Sequence, residues 1–176
     1  MSRLTRVFFN RPPEVVARAL LGQLLVHEID GERYVGRIIE TEAYLAHGDE
    51  AAHGHKGQTV RNQSLFLPTG HAYVHTMRQY SLLDIVTEAS GVPSSVLIRA
   101  IQPVEGIDPS LIINGPGKVC RAMHITRAQD GMDITAPTAT LFVVRSARVP
   151  ERRVGVSGRI GISRAQEALL RFYVRP

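Results

Sequence analysis

The sequence predicts an α+β fold, in which a curved, mainly antiparallel β-sheet and surrounding helices form one domain over residues 1–176. Two segments have the alternating pattern and the central turn of a β-hairpin, and several further runs are β-rich. A length of 176 residues and a hydrophobic content of 44% are sufficient for one ordinary core.

The first elements are a helix followed by a hairpin. Residues 11–22 begin with Pro12 and Pro13 and end at Gly22, which is the order of residues that favours a helix start and a helix end. Residues 23–45 contain two β-rich runs on either side of Asp30 and Gly31. An Asp-Gly pair favours a two-residue hairpin turn, so this segment predicts a hairpin.

The middle of the chain predicts a long loop and a second hairpin. Residues 47–70 are rich in glycine and lack periodicity, so we expect a functional loop with a helical turn near residues 61–66. Residues 71–89 alternate on both sides of a polar centre and predict a hairpin whose tip lies near Arg78, Gln79 and Tyr80. Residues 94–103 predict a buried strand that ends at Pro103.

The C-terminal third predicts two short helices and two strands. Pro116 suits the first turn of a helix within residues 114–125, and residues 163–172 have the pattern of a short capped helix. Residues 139–147 and 153–163 are β-rich.

Composition excludes several classes of protein. Cys120 is the only cysteine, so the chain forms no internal disulfide and a reducing compartment is expected. The N-terminal stretch has no apolar core with a small-residue cleavage site, and no apolar run is long enough to span a bilayer. We therefore expect a cytoplasmic, nucleoid-associated protein without a membrane partner.

The chain is strongly basic, with a net charge of +5 and a pI of about 9.9. This balance suits a phosphate-rich partner, although a GC-rich genome would also favour arginine. Lys56 and Lys118 are the only lysines, which leaves few amines for Schiff-base chemistry.

Acidic residues and histidines are concentrated in residues 37–55. Glu40, Glu42 and Tyr44 share one face of the predicted strand, so the two carboxylates repel each other unless a cation lies nearby. Three interpretations are open from the residues alone: an acid/base site, a hydrated strand end, and a metal site. The metal site would use four loop residues, although their spacing matches no known metal signature: His47, Asp49, His53 and His55.

Several motifs in one order resemble a known family. They are ETEAYLAHGDEAAH at 40–53, RNQSLF at 61–66, GHAYV at 70–74, VLIRAIQP at 96–103, NGPGKVCRAM at 114–123, GRIGIS at 158–163 and LRFYV at 170–174. Together they resemble the alkyladenine (3-methyladenine) DNA glycosylases of the mammalian type. The resemblance spans nearly the whole chain.

This resemblance implies a monofunctional DNA glycosylase of base-excision repair. The enzyme would act as a monomer on damaged double-stranded DNA, without a metal or organic cofactor. Its substrates would be alkylated purines, with deaminated purines as a further class. Each base would be flipped out of the duplex before it is excised. Glu42 corresponds to the general base that activates water, and Arg99 to an arginine that helps hold that water.

The resemblance also identifies base-binding residues and two departures. Tyr44 and His53 correspond to residues that stack on the flipped base. His75 stands where the family usually has a second stacking tyrosine. Asp84 stands where the family usually has an asparagine that collides with the 2-amino group of normal guanine. These departures leave the lesion range open.

The second hairpin is expected to protrude and to intercalate into DNA. In the family a tyrosine at its tip fills the gap left by the flipped nucleotide. Here the tip is one residue shorter, so Arg78, Gln79 and Tyr80 all remain candidates. Two other functions are alternatives: a DNA-binding module with a degenerate pocket, and a metal-dependent hydrolase that uses the histidine cluster.

Overall fold

The computed structural model describes residues 2–175, which form eight strands, three short α-helices and three 3₁₀ turns. The strands are β1 (Leu24–Ile29), β2 (Glu32–Tyr44), β3 (Ala72–Met77), β4 (Tyr80–Thr87), β5 (Ser94–Glu105), β6 (Leu141–Val144), β7 (Val154–Ser157) and β8 (Arg171–Val174). The helices are α1 (Arg6–Phe9), α2 (Pro13–Leu20) and α3 (Pro116–Ala122), and the 3₁₀ turns are Gln63–Phe66, Arg127–Gln129 and Glu151–Arg153.

All eight strands belong to one curled antiparallel sheet, as the sequence predicts. Six strands run in the order β3-β4-β5-β2-β1-β6, and β8 pairs with both β2 and β7. One edge of β2 pairs first with β1 and then, at residues 40–42, with β8, while its other edge pairs with β5. The register of β2 against β5 shifts between Ile38 and Thr41, and such bulges bend a strand. The sheet therefore curls where the two glutamates lie.

Both predicted hairpins are confirmed. Asp30 and Gly31 have φ angles of 53° and 83°, the positive values that the tight turn between β1 and β2 requires. The second hairpin pairs β3 with β4 up to Met77 and Tyr80, so its turn consists of Arg78 and Gln79.

The main core lies between the sheet and the helices. Helix α2 places Val16, Ala17 and Leu20 against the sheet, all fully buried. The Thr41 hydroxyl of β2 donates a hydrogen bond to the Ala17 carbonyl over 2.9 Å. This face of β2 is therefore fixed by packing, which leaves the opposite face to carry functional side chains.

The structure differs from the sequence prediction at three elements. Strand β5 does not end at Pro103 but continues to Glu105, because Pro103 lies at a register shift where a missing N–H is tolerated. No helix forms at residues 163–172: Ala165 has a φ of 48° and Leu169 is 63% exposed, and Arg171 begins β8. The strand predicted at 153–163 ends at Ser157, and residues 158–163 are irregular.

Among residues 2–175, no helix combines the length and the apolar character needed to cross a membrane.

Candidate active site

A cavity of about 220 Å³ opens between the second hairpin and the irregular segment after β7. Apolar side chains and aromatic rings make up most of its wall, with few polar groups. The residues that the sequence predicted and that line it are Tyr44, His53, His75, Asp84 and Arg99. Strands β2 to β5 and the long loop thus bring distant parts of the chain to one pocket.

Glu42 lies behind this wall and is fully buried. Its Oε2 accepts hydrogen bonds from the Tyr44 hydroxyl at 3.0 Å and from Arg99 Nη1 at 3.1 Å. Its Oε1 accepts from the backbone N–H of Ile160 at 2.7 Å. Burial and the charge of Glu42 raise the pKa of Tyr44 far above its ordinary value, so the hydroxyl stays protonated and donates.

Two arginines surround the glutamate pair. Arg99 Nε donates to Glu40 Oε1 at 3.1 Å while its Nη1 donates to Glu42, and Arg171 Nε donates to the same Glu40 oxygen at 2.7 Å. The shared arginine confirms that Glu40 and Glu42 lie on one face of β2. The cation that the repulsion between them requires is therefore present, and Arg99 pairs with both carboxylates.

Three rings form one side of the cavity: His53, Tyr73 and His75. Tyr73 and His75 are stacked with centroids 5.0 Å apart, and His53 meets His75 edge-on at 4.5 Å. His53 Nδ1 and the Tyr73 hydroxyl are 2.9 Å apart. Burial, together with His53 and Arg61, lowers the pKa of His75 to about 3, so its imidazole is neutral at physiological pH.

Asp84 sits beside these rings and is buried. Its Oδ1 accepts a hydrogen bond from the Ser95 hydroxyl at 2.8 Å, and its Oδ2 lies 3.5 Å from His75 Nδ1, which has no hydrogen-bond partner of its own. Burial, with a contribution from the charge of Glu42, raises the pKa of Asp84 to about 7. The carboxyl group can therefore be a donor or an acceptor near neutral pH.

The hairpin tip presents polar residues at its turn and apolar residues at its base. Arg78 has a φ of 55° and forms the turn with Gln79, whose Nε2 donates to the Tyr80 hydroxyl at 3.1 Å. Tyr80 is 47% exposed and Met77, opposite it, is 49% exposed. Tyr80 packs against α3 at Gly117. The space there is so small that a Cβ added to Gly117 would lie 3.0 Å from the Tyr80 Cβ.

The hypothesised metal cluster is not assembled. Asp49 pairs with Arg159, and His47 and His55 point to solvent. In the part of the chain from residue 2 to 175, no three His, Cys, Asp or Glu side chains are grouped as metal ligands would be.

Sequence reasoning missed four contributors: Tyr73, Ser95, Arg159 and the Ile160 N–H. Tyr73 could have been found, because it alternates with His75 along β3 and so shares its face. Arg159 and Ile160 lie in the GRIGIS motif, but no local pattern shows that this segment contacts the end of β2. Ser95 carries no local signal.

Comparison with known proteins identifies the family. Residues 7–176 match the model of the family described as "Methylpurine-DNA glycosylase (MPG)". A "Putative 3-methyladenine DNA glycosylase" of Myxococcus xanthus is 43% identical over 94% of this chain and 84% of its own length. Proteins with the same printed name are 43% identical in Methanocella arvoryzae, over 97% of this chain and 90% of theirs, and 39% identical in Chlorobium phaeobacteroides, over 99% and 92%.

Proposed function

The chain belongs to the methylpurine-DNA glycosylase family and is a DNA glycosylase of the 3-methyladenine type; from this premise we propose that Glu42 activates the water that cuts the N-glycosidic bond. One observation carries the proposal: Glu42 is held by three hydrogen-bond donors directly behind an aromatic cavity. A carboxylate in that position can take a proton from water and stabilise positive charge on the sugar.

The cavity would receive a purine that has left the helix stack. The glycosidic bond is inaccessible inside a duplex, so the nucleotide must rotate out. Tyr44 and His53 would stack on the base, with His75 on the same aromatic wall and Asp84 at the base edge. A mostly apolar pocket with few polar groups suits such a ring.

Water would reach Glu42 from the cavity. An ionised carboxylate offers about four acceptor positions, and three are occupied, so one remains for a water proton. Oε2 already has two donors, so the free position is on Oε1, and Ile160, which donates to Oε1, forms part of the cavity wall. Arg99, which donates to Oε2, would help to hold the water.

The reaction is a hydrolysis with an oxocarbenium-like transition state. The bond from the sugar carbon to the purine nitrogen breaks, and the base leaves with the electron pair. The water oxygen forms the new bond to that carbon, and one water proton passes to Glu42. The products are a free base and an abasic site.

Alkylated purines fit this pocket because many of them carry positive charge. A cationic base is a better leaving group, and aromatic faces attract cations. His75 would not repel such a base, because its lowered pKa keeps the ring neutral. Deaminated purines are a further class that the pocket would accept.

The second hairpin would enter the duplex beside the flipped nucleotide. Arg78, Gln79 and Tyr80 are exposed there and would fill or brace the gap. The enzyme would act on double-stranded DNA as a monomer, within a single domain, at the nucleoid in the cytoplasm.

The test is an excision assay on duplexes that each carry one lesion: 3-methyladenine, 7-methylguanine, hypoxanthine or ethenoadenine. We expect release of free base in the presence of a chelator. Neither Lys56 nor Lys118 lines the cavity, so the abasic strand should stay intact until hot alkali is added. Tight binding without base release would favour a DNA-binding module, and loss of activity with chelator would favour a metal-dependent hydrolase.

A further inference from the structure

Arg159 and Asp49 form an ion pair beneath the candidate site, outside the cavity wall. Their side chains are 0% and 1% exposed, and the pair is bidentate, with Nη1 to Oδ2 at 2.6 Å and Nη2 to Oδ1 at 2.7 Å. A buried ion pair adds little net stability, since desolvation offsets the Coulomb attraction, but its two parallel hydrogen bonds fix orientation.

Asp49 holds the loop that follows β2. Its Oδ2 also accepts from the Leu45 N–H at 3.0 Å, and its Oδ1 accepts from the Ala51 N–H at 3.1 Å. Leu45 directly follows Tyr44, and Ala51 lines the cavity two residues before His53. The position of Asp49 thus sets the path of the chain between two rings of the pocket.

Arg159 holds the strand end itself. Its Nη1 donates to the carbonyl of Ala43, the residue between Glu42 and Tyr44, at 3.0 Å. Its guanidinium lies 4.6 Å from the centroid of the Tyr44 ring. Because Arg159 does not line the cavity while Tyr44 does, the guanidinium supports this ring from outside the pocket.

The next residue along the chain contacts the proposed general base. The Ile160 N–H donates to Glu42 Oε1 at 2.7 Å. Residues 158–170 form neither helix nor strand, so no sheet or helix hydrogen bonds fix this N–H in place. The contacts of the Arg159 side chain with Asp49 and Ala43 therefore anchor the segment that carries this N–H.

We propose that Arg159, clamped by Asp49, is a positioning residue that fixes the Tyr44 ring and the Glu42 carboxylate relative to each other. Arg159 touches neither the base nor the water. It acts through the Ala43 carbonyl, the Tyr44 ring and the adjacent Ile160 N–H. This assignment rests on the proposed role of Glu42 as general base.

The test is the variant Arg159→Lys. Lysine keeps the positive charge but loses the planar fork, so it cannot contact both Asp49 oxygens and the Ala43 carbonyl together. We expect the single-turnover excision rate on 7-methylguanine duplex to fall by about ten- to a hundredfold, the scale of a misplaced catalytic group. Affinity for product-like abasic DNA should change less than about twofold, because the Arg159 side chain is fully buried.

Arg6→Lys provides a matched control, because Arg6 also pairs with an aspartate, Asp133, and with a carbonyl, that of Thr69. Rates are compared per folded molecule, with the folded fraction measured by circular dichroism at the assay temperature. The control should excise at the wild-type rate.

The outcomes distinguish failure of the proposed function from failure of the positioning role. A wild-type chain that excises nothing overturns the proposed function before any variant is tested. An active wild type with an equally active Arg159→Lys variant overturns the positioning role. A rate loss that disappears when rates are expressed per folded molecule, or that is accompanied by an equal loss of abasic-DNA binding, also overturns it.

Discussion

At the scale of single residues, Glu42 is the most direct point to test. Glu42→Gln keeps the size of the side chain, but the amide cannot take a proton from water. Its single oxygen can replace either Oε1, which accepts from Ile160, or Oε2, which accepts from Tyr44, but not both. We expect excision to fall by about 10²–10⁴-fold, the usual effect of removing a general base.

Binding of the Glu42→Gln variant to lesion-containing duplex should survive. Single-turnover kinetics and a gel-shift titration on the same duplex measure the two quantities separately. An excision rate near that of the wild type would remove Glu42 from the proposed role.

Asp84 should control which lesions are preferred. An ionised carboxylate offers only acceptors to the base edge, whereas an amide offers a donor and an acceptor. We expect Asp84→Asn to change the ratio of guanine-derived to adenine-derived lesions excised, measured with 7-methylguanine and 3-methyladenine duplexes. The same ratio in both proteins would mean that Asp84 does not read the base, and that Tyr44, His53 and His75 determine selectivity.

Asp84 should also make stability depend on pH. Its folded-state pKa is about 7 against an ordinary value of 3.8, so between these limits the folded chain binds more protons than the unfolded chain. The stabilising effect of the neutral carboxyl is therefore complete at low pH and is lost as pH rises through about 7.

Asparagine cannot ionise, so the unfolding free energy of Asp84→Asn should increase relative to that of the wild type as pH rises from 3.8 to about 7. Above that pH the difference should stay constant. His75 has the opposite trend, since its lowered pKa makes stability rise with pH above about 3, but this contribution is common to both proteins. Urea unfolding at about pH 5 and about pH 8 measures the difference. A difference that is constant with pH would refute the raised pKa.

At the scale of elements, strand β2 explains why the site lies where it does. Its inner face packs on α2 through Thr41, and its bulge near Glu40 turns the other face toward β8 and the irregular segment. The two glutamates are thereby brought within reach of Arg99 from β5 and Arg171 from β8. A straight strand with a regular register would not combine these contacts.

The second hairpin allows a test of the wedge. Tyr80 is the only aromatic residue near the tip. Its side chain is half-exposed and packs against α3. We expect Tyr80→Ala to slow excision of a base-paired lesion by about tenfold or more, because unstacking a base step costs a few kcal/mol. A lesion in a single-nucleotide bulge should be less affected, because it is already partly unstacked.

Tyr80→Phe serves as the control for the hairpin. It removes only the hydroxyl that accepts from Gln79 and keeps the ring. If Tyr80→Ala slows both substrates equally, then Tyr80 braces the hairpin against α3 and the wedge consists of Arg78 and Gln79.

At the scale of the whole molecule, the net charge of +5 should act on the DNA backbone. A basic groove beside the cavity includes Lys56, Arg61 and Arg78. If these residues contact phosphates, binding should weaken with salt at a logarithmic slope of about −0.9 for each contact. Fluorescence anisotropy on undamaged duplex at several salt concentrations measures this slope.

Arg78→Gln should reduce the magnitude of the slope by about one. Arg33→Gln is the matched control, because Arg33 lies outside both the groove and the cavity, between Glu28 and Glu105. A flat salt response of the wild-type chain would assign the arginine content to genome composition instead.

The sequence by itself determined the features that depend on local chemistry. The Asp30-Gly31 turn, the prolines that begin α2 and α3, and the alternation of the second hairpin all act over a few residues, so they could be identified without coordinates. The ordered motifs were also sufficient to indicate the family, which the comparisons confirm.

Only the tertiary structure decided how the site is held together. The contact between Asp49 and Arg159 spans 110 residues, and Glu42 meets the Ile160 N–H across 118. No local pattern encodes such pairs, because they depend on how the curled sheet folds back on itself. The same reason explains residues 163–172, whose helical pattern gives way to left-handed backbone at Ala165 and to pairing of Arg171 in β8. The pKa values of His75 and Asp84 likewise follow from burial, which exists only once strands β3, β4 and β5 are assembled.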